Sequence, residues 1–144
     1  MANSTTDIIR KFQEPSRYKN WPIASGETLV KGGQVVLNAS GYLENGSDTA
    51  SYIAGGIVMS LSSNTAPTAD GGEYAVVDTE TEYEVTCNDT LTQASVGSLV
   101  ACADNSNVTT TVNNIAFAKI TRYISANKAI VSCKGICNMP LRTS

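Results

Sequence analysis

Short runs of alternating apolar and polar residues fill this chain from Thr28 onward. Alternation with a period of two is typical of half-buried β-strands, because successive side chains on a strand point to opposite faces. Glycine and asparagine mark the turns, as at Gly32-Gly33, where the pattern predicts a two-residue hairpin. The strands predicted in this way span residues 28–30, 34–37, 41–43, 52–59, 73–77, 80–87, 98–101, 108–112, 115–124 and 129–133.

Strands this short, with no helix between them, predict an all-β fold, a small antiparallel β-barrel or sandwich. The chain has no period of 20 to 50 residues, which argues against a solenoid or a propeller. Residues 60–72 lack an apolar period and are predicted to form an exposed loop.

The N-terminus has a different pattern. Ser4 to Asp7 has the form of a capping box, and Ile8, Ile9 and Phe12 follow at helical spacing until Pro15. A helix this short is marginal by itself in water and must dock on another surface. Residues 17–23 have no clear period and are predicted to be extended. The chain is therefore divided into an N-terminal arm, residues 1–25, that contains a short helix, and a β-domain, residues 26–144.

Composition narrows the class of protein. With 144 residues and 42% hydrophobic content, one domain can bury a modest core without disulfides, metals or cofactors. A net charge of −3 argues against a nucleic-acid partner. The N-terminus lacks an apolar signal segment, and no apolar run is long enough to span a bilayer. We therefore expect the chain to be synthesised in the cytoplasm and not to associate with a membrane. The cysteines, whose spacing fits no redox or zinc motif, are predicted to be buried thiols: Cys87, Cys102, Cys133 and Cys137.

Charge is segregated along the chain. Residues 1–31 hold five bases and three acids, residues 32–118 hold ten acids and no base, and residues 119–144 hold five bases and no acid. One explanation places the basic C-terminal hairpin beside the acidic strand in one sheet, where opposite charges on neighbouring strands attract. The other places the complementarity between subunits or against a partner. The predicted charge-pairing residues are Glu80, Glu82, Glu84, Lys119, Arg122 and Lys128.

The acidic stretch is also the strongest candidate for chemistry. Glu80, Glu82 and Glu84 alternate along a predicted strand, which would place neighbouring carboxylates about 6.5 to 7 Å apart. The chain has no histidine, and glycoside hydrolysis by paired carboxylates needs a sugar cleft that a 6% aromatic content does not favour. A calcium loop needs a central glycine that this stretch lacks. We therefore predict a solvated strand face, with no catalytic, cofactor-binding or metal-binding residue and no enzyme activity.

The block EYEVTCNDTLTQASVGSLVACAD, residues 82–104, precedes VTTTVNNIAFAKITRYISANKAIVSCKG, residues 108–135. Together with GETLVKGGQVVLNASGYLENG, residues 26–46, these segments resemble the head decoration, or capsid cement, proteins of tailed bacteriophages. The resemblance covers residues 26–136 and rests on segment order. It implies a small β-rich structural protein, not an enzyme, that binds the outer surface of an assembled phage head, often as a trimer, and reinforces it.

The resemblance also implies the partners and the location of the protein. These are the major capsid protein of a tailed phage, other copies of the chain in a homotrimer, and the exterior of the virion. We expect the arm to contact the capsid through Ile8, Ile9, Phe12, Tyr18 and Trp21, because large apolar side chains dominate interfaces. Alternatively, these residues fold back on their own domain as an edge strand or cap. A phage tail or baseplate subunit and a carbohydrate-binding surface module are the alternative functions.

Overall fold

The computed structural model describes Thr6, residues 17–63 and residues 65–136, and these residues form an all-β structure, as predicted. The predicted arm helix, with Ile8, Ile9 and Phe12, lies outside the described residues. A turn of 3₁₀ helix spans Gln93–Ser95. The strands are β1 (Tyr18–Pro22), β2 (Gln34–Leu37), β3 (Leu43–Asn45), β4 (Ile53–Leu61), β5 (Tyr74–Asp78), β6 (Glu82–Cys87), β7 (Leu99–Cys102), β8 (Asn107–Thr109), β9 (Ala118–Ser125) and β10 (Lys128–Ser132).

The first five strands form a sheet that rolls up on itself; we call residues 17–78 the rolled sheet. Its strand order is β1-β5-β4-β2-β3, and every neighbouring pair is antiparallel. Directly after β1, Ile23 bridges to Leu43 of β3, and the Ala24 N–H donates to the Leu43 carbonyl at 2.9 Å. This contact joins the two edge strands around an apolar cluster of Ile23, Leu29, Val35, Leu37, Leu43, Val58, Ala75 and Val77.

The last five strands form a closed barrel with the order β10-β6-β8-β7-β9. The predicted barrel is therefore confirmed. Its strands are antiparallel except for β6 and β8, which pair in parallel, so the purely antiparallel expectation is wrong at this position. The reason is geometric, because strand direction cannot alternate all the way around a closed ring that contains an odd number of strands.

One apolar core joins the rolled sheet to the barrel. Val36, Ala54 and Ile57 lie on the outside of the rolled sheet, yet they are buried in the same cluster as the barrel interior. The barrel residues of this shared core include Val85, Val100, Val108, Phe117, Ile120 and Val131. The two β-structures are therefore packed against each other by hydrophobic burial.

Gln34 adds a polar connection across the same boundary. Its side chain is only 1% exposed. Its Nε2 donates to the carbonyls of Asp104 and Asn107 at 2.9 and 3.0 Å, and its Oε1 accepts a hydrogen bond from the Tyr83 hydroxyl at 2.6 Å. A buried amide that uses both its donor and its acceptor orients the two parts, since any rotation would break these hydrogen bonds.

Part of the predicted arm belongs to the rolled sheet. Residues 18–22 form β1, which pairs along its length with β5. Trp21 packs against the interior cluster and Ile23 is buried, because their side chains face the inside of the sheet. The Arg17 guanidinium holds the start of the strand, donating from Nε and Nη2 to the two carboxylate oxygens of Asp78 at 2.9 and 2.7 Å. Tyr18 and Trp21 thus belong to an edge strand of the sheet, which for these two residues is the alternative that the sequence left open.

The hairpin predicted at Gly32-Gly33 does not form. Both sides of β2 are already paired, with β3 and with β4, so residues 28–30 have no free strand edge to join. They instead form a loop over the rolled sheet, with Leu29 buried in its interior and the Thr28 carbonyl accepting a hydrogen bond from Asn45 Nδ2 at 3.1 Å.

The cysteine prediction is confirmed for Cys87, Cys102 and Cys133, which are free and buried. Cys137 lies outside the described residues. Burial raises the pKa of the Cys102 thiol well above its ordinary value, so this thiol stays protonated at neutral pH.

Candidate functional site

The acidic stretch lies on β6, with its carboxylates on the outside of the barrel. Glu82 and Glu84 are exposed, whereas Val85 and Cys87 are buried and Tyr83 packs against the core. The alternation read from the sequence therefore describes the two faces of this strand correctly. The carboxylates point to solvent, and the apolar positions fill the barrel.

Glu80 is not part of this row. β6 begins at Glu82, and Glu80 lies in the turn that carries the chain from the rolled sheet to the barrel. The Glu80 N–H donates to Asp78 Oδ1 at 2.9 Å, and this hydrogen bond helps to hold the turn. The sequence pattern placed Glu80 on the strand because the alternation of acids continues through the turn.

Basic residues lie two strands away on the same outer surface. β10 pairs with β6 on one side and with β9 on the other. Two rows cross these strands, each with an acid on β6 and a base on β9. In the first row Ile130 lies between Glu84 and Arg122. In the second row Ser132 lies between Glu82 and Lys119. We call this surface the charged face, and it consists of Glu84, Ile130, Arg122, Glu82, Ser132, Lys119 and Lys128, the last of which lies on the same side of β10 as Ile130 and Ser132.

The charged face has few direct contacts between its own charges. Lys128 Nζ lies 3.9 Å from Glu84 Oε1, and their side chains are 51% and 54% exposed, which makes this a weak ion pair. Thr121 Oγ1 donates to Glu82 Oε2 at 2.7 Å. Within the described part of the chain, Lys119 and Arg122 form no ion pair. Among the predicted charge-pairing residues, the structure thus shows an ion pair between Glu84 and Lys128. Glu82, Lys119 and Arg122 lie on the same outer surface, whereas Glu80 lies apart in the turn before β6.

A second surface, which we call the apolar face, lies on the outside of β1, β5 and β4. Tyr18, Tyr74 and Met59 are 51%, 45% and 43% exposed, and Val76 is half-buried beside them. The β1–β5 register places Tyr18 and Tyr74 at opposite ends of the strand pair, about 13 Å apart along it. Of the predicted capsid-contact residues, Tyr18 therefore faces outward, whereas Trp21 faces the interior.

Asp48 lies in the connection between β3 and β4, and its side chain holds a loop of the barrel, residues 113–115, in place. Its carboxylate accepts hydrogen bonds from three consecutive backbone N–H groups, those of Asn113, Asn114 and Ile115, at 2.7 to 2.8 Å. Asn114 Nδ2 donates in return to the Asp48 carbonyl at 2.9 Å. The Asn113-Asn114 dipeptide signals a turn in the sequence, but nothing local in the sequence indicates which residue 65 positions earlier binds it.

Two further carboxylates hold loops of the barrel. Asp89 Oδ2 accepts from the Thr109 hydroxyl at 2.6 Å and from the N–H and hydroxyl of Thr110 at 2.6 and 2.9 Å. These donors, Thr109 first, lower the pKa of Asp89 below its ordinary value. The N–H groups of Ser106 and Asn107 lower the pKa of Asp104 in the same way.

These two pKa shifts predict a loss of stability in acid. A carboxyl with a depressed folded-state pKa stabilises the fold above its unfolded pKa, near 3.8, and this contribution disappears as the pH falls through the folded-state value. We expect Asp89→Asn and Asp104→Asn to lower the free energy of unfolding more at pH 7 than at pH 3, measured by urea denaturation. Thr109→Val should reproduce part of the Asp89 effect. An equal loss at both pH values would contradict this account.

No three His, Cys, Asp or Glu side chains of the described chain lie close enough together to hold a metal ion. The same residues contain no helix with the length and apolar content that would be needed to cross a membrane. Comparison of the chain with protein-family models, with curated proteins and with solved structures found no match.

Proposed function

We propose that this chain is a structural virion protein, a decoration or cement protein that binds the outer surface of a tailed-phage capsid and stabilises it. The observation that carries the proposal is the apolar face, where exposed Tyr18, Met59 and Tyr74 and half-buried Val76 lie on one side of the same three strands. The resemblance of residues 26–136 to phage head decoration proteins supports the same function. The partner is the major capsid protein, the protein acts as a homotrimer, and its location is the exterior of the virion.

The chemistry of the apolar face suits a protein partner. Tyrosine combines a large apolar ring with a hydroxyl group, and methionine adapts its shape to an irregular surface, so both residue types are common at interfaces. Asn20 and Ser60 lie in register with Val76 across the sheet and add polar groups that can hydrogen-bond to a partner. The Arg17 guanidinium lies over the Tyr18 ring, 5.5 Å from its centre, at a distance that allows a cation–π interaction.

The N-terminal segment extends this contact surface. β1, which lies within the predicted arm of residues 1–25, begins at Tyr18, and the Tyr18 side chain belongs to the apolar face. We propose that Ile8, Ile9 and Phe12 contact the capsid together with Tyr18. Trp21 supports this surface from the inside of the sheet, where it packs against the interior cluster.

The test is co-sedimentation with purified heads of the phage whose genome encodes this chain. We expect the wild-type chain to bind, and the Tyr18→Ser/Tyr74→Ser double variant to bind about tenfold or more weakly, because interface tyrosines often contribute strongly to affinity. Val30→Ser/Leu99→Ser is the matched control, since Val30 and Leu99 are similarly exposed but lie outside the apolar face. Heads without the chain should release their DNA at a lower temperature.

Three results would count against the proposal. Equal binding by the double variant and the control would show that the apolar face is not the contact. A wild-type chain that fails to sediment with heads, or heads that are equally stable without it, would remove the cement function. Immunogold labelling at the tail or baseplate would support the alternative of a tail subunit.

A further inference from the structure

The charged face is divided into an acidic and a basic side. Glu82 and Glu84 form a column on β6, and Lys119 and Arg122 form a column on β9. β10 runs between them, and because neighbouring strands are about 4.8 Å apart, the backbones of the two columns are about 10 Å apart. The Glu82 carboxylate reaches across β10, where its Oε2 accepts a hydrogen bond from the Thr121 hydroxyl of β9 at 2.7 Å. All four charged side chains are exposed. Such a surface carries a charge dipole directed across the strands.

This surface is complementary to itself in only one face-to-face orientation. A two-fold axis parallel to β10 exchanges left and right between two facing copies, so the acidic column of each copy meets the basic column of the other. A two-fold axis across the strands would instead place acids opposite acids and bases opposite bases, which is repulsive. An isologous contact needs this kind of self-complementarity.

We propose that the charged face is an interface between two copies of this chain, related by a two-fold axis parallel to β10. Glu84 then faces Arg122 of the second copy, Glu82 faces Lys119, and Ile130 meets its own equivalent at the axis. Ile130 is partly exposed and lies between the charges of its row, so it provides an apolar centre with a charged rim. The inference does not depend on the capsid function, and the contact leaves the rest of the surface free for a trimer.

The contacts within one copy leave this pairing possible. Neither base of the basic column has an ion-pair partner among the residues that the structure describes. Lys128 lies near the axis, where two copies would bring two ammonium groups together, and this repulsion opposes the contact, because the Lys128–Glu84 ion pair is weak. Because the charges are exposed and salt screens them, with a Debye length of about 10 Å at 0.1 M, we expect association to weaken as ionic strength rises.

Charge reversal gives a direct test by sedimentation velocity. The acid-reversed variant is Glu82→Lys/Glu84→Lys, and the base-reversed variant is Lys119→Glu/Arg122→Glu. Each should associate about tenfold or more weakly than the wild type, since like charges then face each other. An equimolar mixture of the two variants should regain the mass of the wild-type assembly, because every facing pair is again opposite in charge. Glu80→Lys and Lys31→Glu, exposed charges outside the charged face, are controls that should sediment like the wild type.

A cross-linking experiment tests the position of the axis. Facing sheets pack about 10 Å apart, which is too far for a disulfide but within reach of a short bismaleimide. Ile130→Cys should therefore cross-link into dimers above the wild-type background, whereas Val30→Cys, exposed on the rolled sheet, should not. Circular dichroism checks the fold of each variant, and Glu82→Gln/Glu84→Gln, which only removes charge, replaces the acid-reversed variant if that variant does not fold.

Two outcomes would overturn the inference. The first is a mixture of the reversed variants that associates no better than either variant alone. The second is an Ile130→Cys chain that cross-links no more than the Val30→Cys chain. Neither outcome would affect capsid co-sedimentation through the apolar face, so the inference and the proposed function can fail separately.

Discussion

Replacing Gly56 with alanine is expected to lower the free energy of unfolding by about 3–5 kcal/mol, combining backbone strain with overpacking. Gly56 lies in β4, where the pairing with β2 shifts register, and its φ of +99° is one that L-residues rarely adopt. A Cβ at this position would overlap the Asp78 carbonyl oxygen and lie 3.2 Å from the Thr79 Cα. Both neighbours are backbone atoms, so relieving the overlap would disturb the β4–β5 pairing.

Gly97→Ala is the matched control for this prediction. Gly97 has a similar φ of +94°, but nothing lies within 4 Å of a Cβ built there. The control therefore carries only the conformational strain, about 1–2 kcal/mol. Urea denaturation monitored by circular dichroism would measure both variants. Equal losses would show that the overlap with Asp78 is relieved at little energetic expense.

Replacing Gln34 with leucine is expected to lower the free energy of unfolding by about 3–5 kcal/mol, because hydrogen bonds at a buried site are lost and the carbonyls of Asp104 and Asn107 lose a donor. Leucine fills a similar volume, so the loss would report on polarity more than on packing. The hydroxyl of Tyr83 also loses its 2.6 Å hydrogen bond to the amide oxygen. All these partners belong to the barrel, so the effect would measure the connection between the two β-structures.

Tyr83→Phe, alone and combined with Gln34→Leu, separates the contribution of the Tyr83 hydroxyl from that of the other hydrogen bonds of Gln34. Tyr83→Phe removes only the hydroxyl bond and should cost about 1 kcal/mol, and the double variant with Gln34→Leu should lose less than the sum of the single variants. Gln93→Leu, at an exposed position, should change stability by less than about 0.5 kcal/mol. A Gln34→Leu chain as stable as the wild type would show that the amide does not contribute to the junction.

Local patterns in the sequence were sufficient to assign side chains to the outside or the core where a single strand alternates without interruption. The run from Glu82 to Cys87 alternates strictly, so its carboxylates could be assigned to the outside and Val85 to the core before any neighbour was known. The same reading failed at Glu80, because a turn can carry the same residue types as a strand. It also failed at residues 28–30, whose β-like pattern belongs to a loop, since both sides of β2 are occupied.

Long-range pairings could not be predicted from the same information. Gln34 and Tyr83 are 49 residues apart, and Asp48 and Asn113 are 65 residues apart. Many polar residues in this chain could form such hydrogen bonds equally well. β1 is a similar case, because Trp21 reads as part of an arm until the interior of the rolled sheet provides a place for its ring.

The sequence by itself determined which side chains of β6 share a strand face, because the period of two is a property of the extended backbone. It also determined that acids and bases occupy separate parts of the chain. Only the tertiary structure decided which strands are neighbours, since pairing depends on closing the barrel and burying the core that it shares with the rolled sheet. That arrangement brings the acidic and basic columns onto one face, and this juxtaposition is the basis of the inferred two-fold contact.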